Sequence, residues 1–226
     1  MHNGPKGEKS MSTHSTVNPM EPGTDELERY ALEECVKRHR VDRQVSVMIM
    51  PAGLCELAIE FAHLGAEVTV TDLESRRQDI NGRILAAGLG NEMRFVPCAL
   101  PLPPETPADE LFDIIVVRRS LCSLPYQEAC RIVRQLLHKL RIGGKLYVSI
   151  LGLHSELSEG YSCAEEDVEN RYCELAPAVV RKYGIKGPVC LYSERNLFML
   201  LLEAGGSVLR TLTTTYGNVK GIAVRV

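Results

Sequence analysis

The chain has 226 residues, of which 45% are hydrophobic and 24% are charged, and these proportions are typical of a globular protein with one α/β domain. Its longest apolar runs, at 114–117 and 197–202, fall far short of the roughly 18 residues that a membrane-spanning helix needs, which excludes a membrane protein. A formal net charge of −3 gives no basic field for a phosphate backbone and argues against a nucleic-acid partner.

The cysteines and the first 23 residues bear on the compartment of the protein. None of the eight cysteines belongs to a C-x-x-C pair, and residues 1–23 are polar and contain no apolar signal segment. We therefore interpret the cysteines as reduced thiols in a cytoplasmic protein and predict no metal site. Residues 1–23 have too little apolar surface to offset the entropy cost of ordering, so they are predicted to be a disordered tail before a domain at 24–226.

Helical and strand-like segments alternate from residue 24 onward. Thr24 is a candidate N-cap for a first helix that has acidic residues in its first turn. An apolar strand at 45–50 follows and stops at Pro51 and Gly53. The predicted elements after this strand are a helix at 54–64, a strand at 66–71, a helix at 75–87, strands at 93–96 and 112–117, a helix at 126–140, a strand at 145–151, a helix at 194–204 and strands at 207–214 and 220–226.

This order of elements predicts an α/β fold. Strands that alternate with helices form a doubly wound, mostly parallel sheet, here with seven strands. The last two strands are joined so closely that one of them must run antiparallel, because a parallel crossover needs about a dozen residues or more. The polar segment at 152–192 has no regular pattern and is interpreted as an irregular insertion.

Three segments carry a resemblance to a known family. They are VMIMPAGLCELAIEFAHLGAEVTVTDLE at 47–74, FDIIVVRRSLCSLP at 112–125 and LRIGGKLYVSI at 140–150, with the closing hairpin behind them. In length and spacing they resemble the class I S-adenosylmethionine-dependent methyltransferases. The resemblance implies a Rossmann-like sheet with an antiparallel C-terminal strand, S-adenosyl-L-methionine as cofactor and S-adenosyl-L-homocysteine as product. It implies methyl transfer to an acceptor that the sequence does not identify, with a small molecule among the candidates.

The family binds its cofactor along the carboxyl edge of the sheet. A glycine-rich turn after the first strand lets the backbone approach the ligand, and an acid at the end of the second strand accepts hydrogen bonds from the ribose hydroxyls. The matching cofactor-binding positions in this chain are Pro51, Ala52, Gly53, Leu54, Asp72, Leu73, Cys98, Ala99 and Arg118.

The cofactor loop departs from the family pattern. Of three expected glycines only Gly53 is present, and Pro51 and Cys55 stand at the other two positions. Proline has no amide hydrogen to donate, and a cysteine side chain fills space near the ligand. Two hypotheses stay open: an active methyltransferase, or a catalytically inactive protein of the same fold that serves as a scaffold or binds a protein partner. A nicotinamide-dependent dehydrogenase is disfavoured because the loop does not read G-x-G-x-x-G.

Two arginine pairs lie near the predicted site. Arg118 and Arg119 follow the fourth strand, where their guanidinium groups either clamp a carboxylate or phosphate or form an exposed pair. Arg76 and Arg77 are interpreted as part of a solvated helix face.

Other candidates for chemistry have a structural interpretation that we prefer. Cys55, Cys98 and Cys122 follow strands at the same edge, and they are either buried hydrophobes or, less favoured, the lining of a shared pocket. The resemblance implies that the insertion at 152–192 shapes the substrate site. A general base for the reaction is therefore sought among the titratable residues of this insertion. These candidates, for which an exposed acidic surface is the preferred interpretation, are His154, Tyr161, Glu165, Glu166, Asp167, Glu169 and Tyr172.

Overall fold

The computed structural model describes residues 25–39, 44–100, 106–107 and 110–226. The predicted tail at 1–23 and the candidate N-cap Thr24 lie outside these ranges. Within them, no helix is long and apolar enough to cross a membrane.

The strands of the described residues form two sheets. In chain order they are β1 (Ser46–Met50), β2 (Glu67–Asp72), β3 (Met93–Pro97), β4 (Phe112–Arg118), β5 (Leu140–Ile150), β6 (Tyr172–Cys173), β7 (Val189–Cys190), β8 (Ser207–Thr213) and β9 (Val219–Val224). The large sheet has the order β3-β2-β1-β4-β5-β9-β8, and β6 pairs with β7 in the small one. Neighbours in the large sheet are parallel except at β9, which runs antiparallel to β5 and β8. The predicted seven-stranded, doubly wound sheet is confirmed.

Helices cover both faces of the large sheet. They are α1 (Glu26–His39), α2 (Glu56–His63), α3 (Arg77–Ala86), α4 (Tyr126–Lys139), α5 (Pro177–Tyr183) and α6 (Glu194–Glu203). A hydrophobic core lies on each face of the sheet, and the side chains of β4 point alternately into one core and the other. Ile114 and Val116 pack with α1, α2 and α3, whereas Ile115 and Val117 pack with α4 and α6. All four residues are fully buried, which explains why this strand reads as an unbroken apolar run.

Several element boundaries differ from the predicted ones, and two of these differences have a clear structural reason. β5 begins at Leu140, directly after α4, because Leu140 pairs with Phe112 before an irregularity shifts the register of the two strands. α3 begins at Arg77, behind a 3-10 turn at Glu74–Arg76 that a helical pattern does not distinguish from the helix itself.

The segment at 152–192 is more regular than predicted, since it contains α5 and the β6–β7 pair. The buried guanidinium group of Arg171 organises it by donating to the backbone carbonyls of Glu166 and Leu191. It also donates to Asn196 Oδ1 at 3.0 Å. These partners lie up to 25 residues away along the chain, so the local sequence pattern carries no signal for them.

Two glycines join the β8–β9 hairpin to the segment that follows β5. A Cβ atom at Gly152 would overlap the carbonyl group of Gly217, and Gly217 has a φ of 79°. The backbones of the two segments are in direct contact at these glycines, next to the pairing of Ile150 with Val219. The carboxyl end of β5 is therefore held against the hairpin at a distance that only glycine allows.

We expect Gly152→Ala to destabilise the protein and Gly82→Ala to stabilise it. The methyl group at 152 must push the hairpin away, and such overpacking costs roughly 1–3 kcal/mol or more. Gly82 is exposed on α3 with nothing within 4 Å of an added Cβ atom, so alanine should raise the free energy of unfolding by up to about 1 kcal/mol. Urea denaturation measures both changes. A Gly152→Ala variant as stable as the native protein would contradict the close approach.

Candidate functional site

The loop between β1 and α2 turns sharply at the carboxyl edge of the sheet. The amide of Ala52 donates to the carbonyl oxygen of Thr71 at 2.7 Å, which ties the loop to β2. Gly53 and Cys55 both have left-handed backbone conformations, with φ angles of 58° and 66°. This conformation is ordinary for glycine but costs a residue with a side chain roughly 1–2 kcal/mol. Cys55 therefore holds a conformation that glycine would adopt more easily.

Asp72, at the end of β2, faces this loop across a narrow gap. Its Oδ1 atom accepts a hydrogen bond from the Leu73 amide at 2.8 Å, and its Oδ2 atom accepts one from Arg76 Nη1 at 3.0 Å. Arg76 Nη2 donates to the carbonyl oxygen of Gly53, also at 3.0 Å. One guanidinium group thus contacts both Gly53 and Asp72. We call the space between the Gly53 carbonyl and the Asp72 carboxylate the Gly53–Asp72 niche.

The position of Arg76 corrects the prediction of a solvated helix face. Its side chain is only 15% exposed, and its Nη2 atom also contacts Asp79 Oδ2 at 2.7 Å. Arg77 does fit the prediction, because its side chain is 42% exposed and pairs with Glu74. Asp72 ends a strand and Arg76 lies in the 3-10 turn after it, so the helical rule of four-residue spacing does not predict their ion pair. The sequence carries no signal for the contact with the loop either.

Arg118, at the end of β4, lies on the other side of Gly53. Its Nη1 atom would be 3.7 Å from a Cβ atom on that glycine. Its Nε atom pairs with Glu28 Oε1 at 2.7 Å, and the Glu28 side chain is only 5% exposed. Burial raises the pKa of Glu28, and the positive charge of Arg118 opposes that rise. The first turn of α1 therefore places a buried carboxylate beside the niche, which its sequence pattern does not reveal because acidic residues are common in first turns.

Arg119 is buried as well, with a φ of 54° and an amide that donates to the carbonyl oxygen of Ser149 at 2.7 Å. The interpretation of Arg118 and Arg119 as an exposed pair is therefore wrong. The side chains of Arg118 and Arg119 are both largely shielded from solvent at the end of β4.

Four other predicted site residues lie along the same edge. Leu54 is 43% exposed and Leu73 is 52% exposed, so two large apolar side chains face solvent next to Gly53 and Asp72. Ala99 is exposed too, whereas Pro51 is half-buried and follows a cis peptide bond. Apolar surface beside a polar niche suits a ligand with one flat apolar part and one polar part.

The thiols of Cys55, Cys98 and Cys122 do not share a pocket. Cys98 and Cys122 pack in the core beneath α4 and α6, and Cys55 packs in the core beneath α1, α2 and α3. The Cys98 Sγ atom lies 3.7 Å from Met50 Sδ, so this side chain points into the core. Burial raises the pKa of Cys98 to about 11 and that of Cys122 to about 12. The preferred interpretation, three small buried hydrophobes, is confirmed.

Cys163 and Cys173 form a disulfide within the segment at 152–192. The other six cysteines keep their thiols and are buried. The prediction of eight reduced thiols is therefore wrong for this pair. A separation of ten residues gives no C-x-x-C signal, and the bond depends on turns that bring the two Cα atoms to 6.5 Å.

The candidates for a general base do not converge on a site. The buried hydroxyl group of Tyr161 donates to the carbonyl oxygen of Val189 at 2.7 Å, and burial raises its pKa to about 12. Tyr172 donates to the carbonyl oxygen of Ser123 at 2.9 Å. The candidates that are exposed side chains are His154, Glu165, Glu166, Asp167 and Glu169. Among the described residues, no group of three or more His, Cys, Asp or Glu could hold a metal ion.

Several solved structures share this architecture. An S-adenosylmethionine-dependent methyltransferase from Methanosarcina mazei matches with a TM-score of 0.60 and 19% identity, covering 84% of this chain and 97% of that one. An O-methyltransferase family protein from Burkholderia thailandensis matches with a TM-score of 0.59 and 15% identity, covering 88% and 56%. NcsB1, an O-methyltransferase from neocarzinostatin biosynthesis, matches with a TM-score of 0.56 and 17% identity, covering 79% and 49%. The chain spans about half the length of the last two proteins.

The chain has the class I methyltransferase fold. At these identities the matches establish the architecture, and no family model and no curated protein sequence matches the chain. The class I methyltransferase fold brings the ends of β1, β2 and β4 together at one edge of the sheet. At that edge Gly53, Asp72 and Arg118 lie close to one another in this chain.

We expect alkylation of the denatured, unreduced protein to modify six cysteines, and alkylation after reduction to modify all eight. In the native protein at neutral pH the buried thiols should react slowly, because the thiolate is the reactive form and burial raises the pKa of these thiols. Intact mass after iodoacetamide treatment counts the additions. Eight additions without reductant would contradict the disulfide.

Proposed function

We propose that the chain is an S-adenosylmethionine-dependent methyltransferase that acts on a small-molecule acceptor. The observation that carries the proposal is the Gly53–Asp72 niche. A backbone carbonyl and a carboxylate, each following a different central strand, face one point, and a single guanidinium group reaches both at 3.0 Å. Ribose presents two adjacent hydroxyl donors, and the carboxyl edge of a doubly wound sheet is where such folds bind nucleotides.

The residues at this edge fit a nucleoside in their chemistry. Asp72 would accept hydrogen bonds from the ribose hydroxyls. Leu54 and Leu73 would offer apolar surface to the base. The left-handed turn at Gly53 has no side chain, which lets the backbone of the loop approach a ligand.

Arg118 is the candidate partner for the carboxylate of the methionine part of the cofactor. Its guanidinium group lies beside Gly53 and already pairs with the carboxylate of Glu28, so it suits a second carboxylate of the same chemistry. When bound, S-adenosyl-L-methionine supplies an activated methyl group. The contribution of the chain is then to hold donor and acceptor in line at the edge of the sheet.

The structural neighbours support a small-molecule acceptor. Two of the three proteins above are named O-methyltransferases, and the NcsB1 structure contains S-adenosyl-L-homocysteine together with 1,4-dihydroxy-2-naphthoic acid. We infer an acceptor of similar size for this chain, bound at the carboxyl edge of the sheet.

We expect calorimetric titration to detect binding of S-adenosyl-L-homocysteine. Asp72→Ala should weaken it by about tenfold or more, because hydrogen bonds to a charged group contribute roughly 1.5–3 kcal/mol each. Glu67→Ala is the matched control, since it removes an exposed acid from the opposite end of β2 and should leave the affinity unchanged. No binding by the native protein at millimolar ligand would favour the inactive scaffold. Equal affinities of the native protein and Asp72→Ala would place the nucleoside elsewhere.

We expect the paired variant Glu28→Gln with Arg118→Gln to bind S-adenosyl-L-homocysteine about tenfold more weakly than Glu28→Gln alone, since only the latter keeps the guanidinium for a carboxylate. The paired change avoids leaving Glu28 buried without its partner. Adenosine has no carboxylate, so calorimetry should give it the same affinity for both variants. A parallel loss for adenosine would show that Arg118 acts on the fold of the site and not on the methionine carboxylate.

A further inference from the structure

Arg76 fills the Gly53–Asp72 niche with a group that resembles the expected ligand in its hydrogen bonding. Its guanidinium group donates to Asp72 Oδ2 and to the Gly53 carbonyl oxygen, both at 3.0 Å. The other carboxylate oxygen of Asp72 already accepts from the Leu73 amide. With the side chain only 15% exposed, the guanidinium group lies inside the edge of the sheet and not in solvent.

A ribose diol and this guanidinium group need the same acceptors. The two hydroxyl groups donate hydrogen bonds, as the Nη atoms of Arg76 do, and Asp72 has one carboxylate to offer. Charge-assisted hydrogen bonds such as those of Arg76 are stronger than neutral ones. Because Arg76 bridges the Gly53 carbonyl and the Asp72 carboxylate, a ribose that lies between these two acceptors must displace a bound cation.

Asp79 offers the displaced guanidinium group a place outside the niche. Its Oδ2 atom already contacts Arg76 Nη2 at 2.7 Å, and its side chain is 46% exposed. Asp79 also holds Arg83 through its Oδ1 atom at 3.0 Å, which fixes the carboxylate on the surface of α3. Rotation of the Arg76 side chain toward Asp79 keeps one ion pair and releases the other two contacts.

We propose that Arg76 is a specificity-determining residue that competes with ribose hydroxyls for Asp72 and Gly53. The inference rests on the proposed function, because it concerns how the same site admits its cofactor. In the resting protein the guanidinium group closes the niche, and the apparent affinity for a nucleoside is reduced by the fraction of molecules in which it is closed. A ligand that presents both hydroxyl groups opposes this closure by taking over the released acceptors.

The test compares two residues with two ligands. Calorimetry with adenosine avoids any contribution from Arg118, and 2′,3′-dideoxyadenosine removes only the two hydroxyl groups. Arg76→Ala should bind adenosine about tenfold more tightly than the native protein, and its affinity for the dideoxy ligand should stay within about twofold of the native value. Arg77→Ala removes a neighbouring arginine that pairs with Glu74, and it should change neither affinity.

A second variant tests whether the tighter binding of adenosine depends on the Asp72 carboxylate. Arg76→Ala combined with Asp72→Ala should lose the tighter binding of adenosine, because the carboxylate released by the first change is then missing. If the alanine variant does not fold, as judged by its thermal unfolding transition, Arg76→Met replaces it. Methionine has no hydrogen-bond donor to compete for Asp72 and Gly53, so the expectations are the same.

The outcomes separate this inference from the proposed function. Weaker or unchanged adenosine binding by Arg76→Ala, with S-adenosyl-L-homocysteine still bound by the native protein, would overturn the competition and leave the proposed function standing. An equal gain for the dideoxy ligand would also overturn it, since Arg76 would then only occupy volume. Absence of S-adenosyl-L-homocysteine binding by both the native protein and Arg76→Ala would overturn the proposed function and this inference together.

Discussion

At the carboxyl edge of a parallel sheet the strands end, so backbone carbonyl groups and side chains there receive no hydrogen bonds from a neighbouring strand. In this chain arginine side chains supply donors at that edge. Arg76 joins the loop at Gly53 to Asp72, and Arg118 joins the end of β4 to Glu28 of the first helix. These contacts hold four elements in one arrangement. The groups that stabilise the edge are therefore the same groups that a cofactor would have to use.

The loop keeps a tight turn although two expected glycines are absent. Cys55 adopts the left-handed conformation itself, and its side chain is buried in the core beneath α2 and α3, where packing offsets the strain. The missing amide hydrogen at Pro51 leaves the anchor of the loop intact, because the anchoring donor is the next amide, that of Ala52. The number of glycines alone therefore overstates how far the shape of this loop differs from the expected glycine-rich turn. Its shape depends on the backbone conformation, which Cys55 can adopt as well.

Local patterns in the sequence predict the sheet and three residues of the candidate site, which are Gly53, Asp72 and Arg118. Gly53 and Asp72 stand out because each follows an apolar strand that ends abruptly, and the fold brings such ends to one edge. The contact of Arg76 with Gly53, that of Glu28 with Arg118 and that of Arg171 with Asn196 join elements that are distant in sequence, so no spacing rule indicates them. Charged residues are usually exposed, so the charges of Arg76, Glu28 and Arg171 suggest surface positions. In this chain these three side chains are instead largely buried and paired.

The central claim is that the Gly53–Asp72 niche is a nucleoside site closed by an arginine. A crystal structure of the native protein with S-adenosyl-L-homocysteine tests it most directly. We expect ribose hydroxyl groups on the Asp72 carboxylate, with the Arg76 guanidinium group turned toward Asp79. A ligand bound elsewhere, with Arg76 still bridging Gly53 and Asp72, would contradict it.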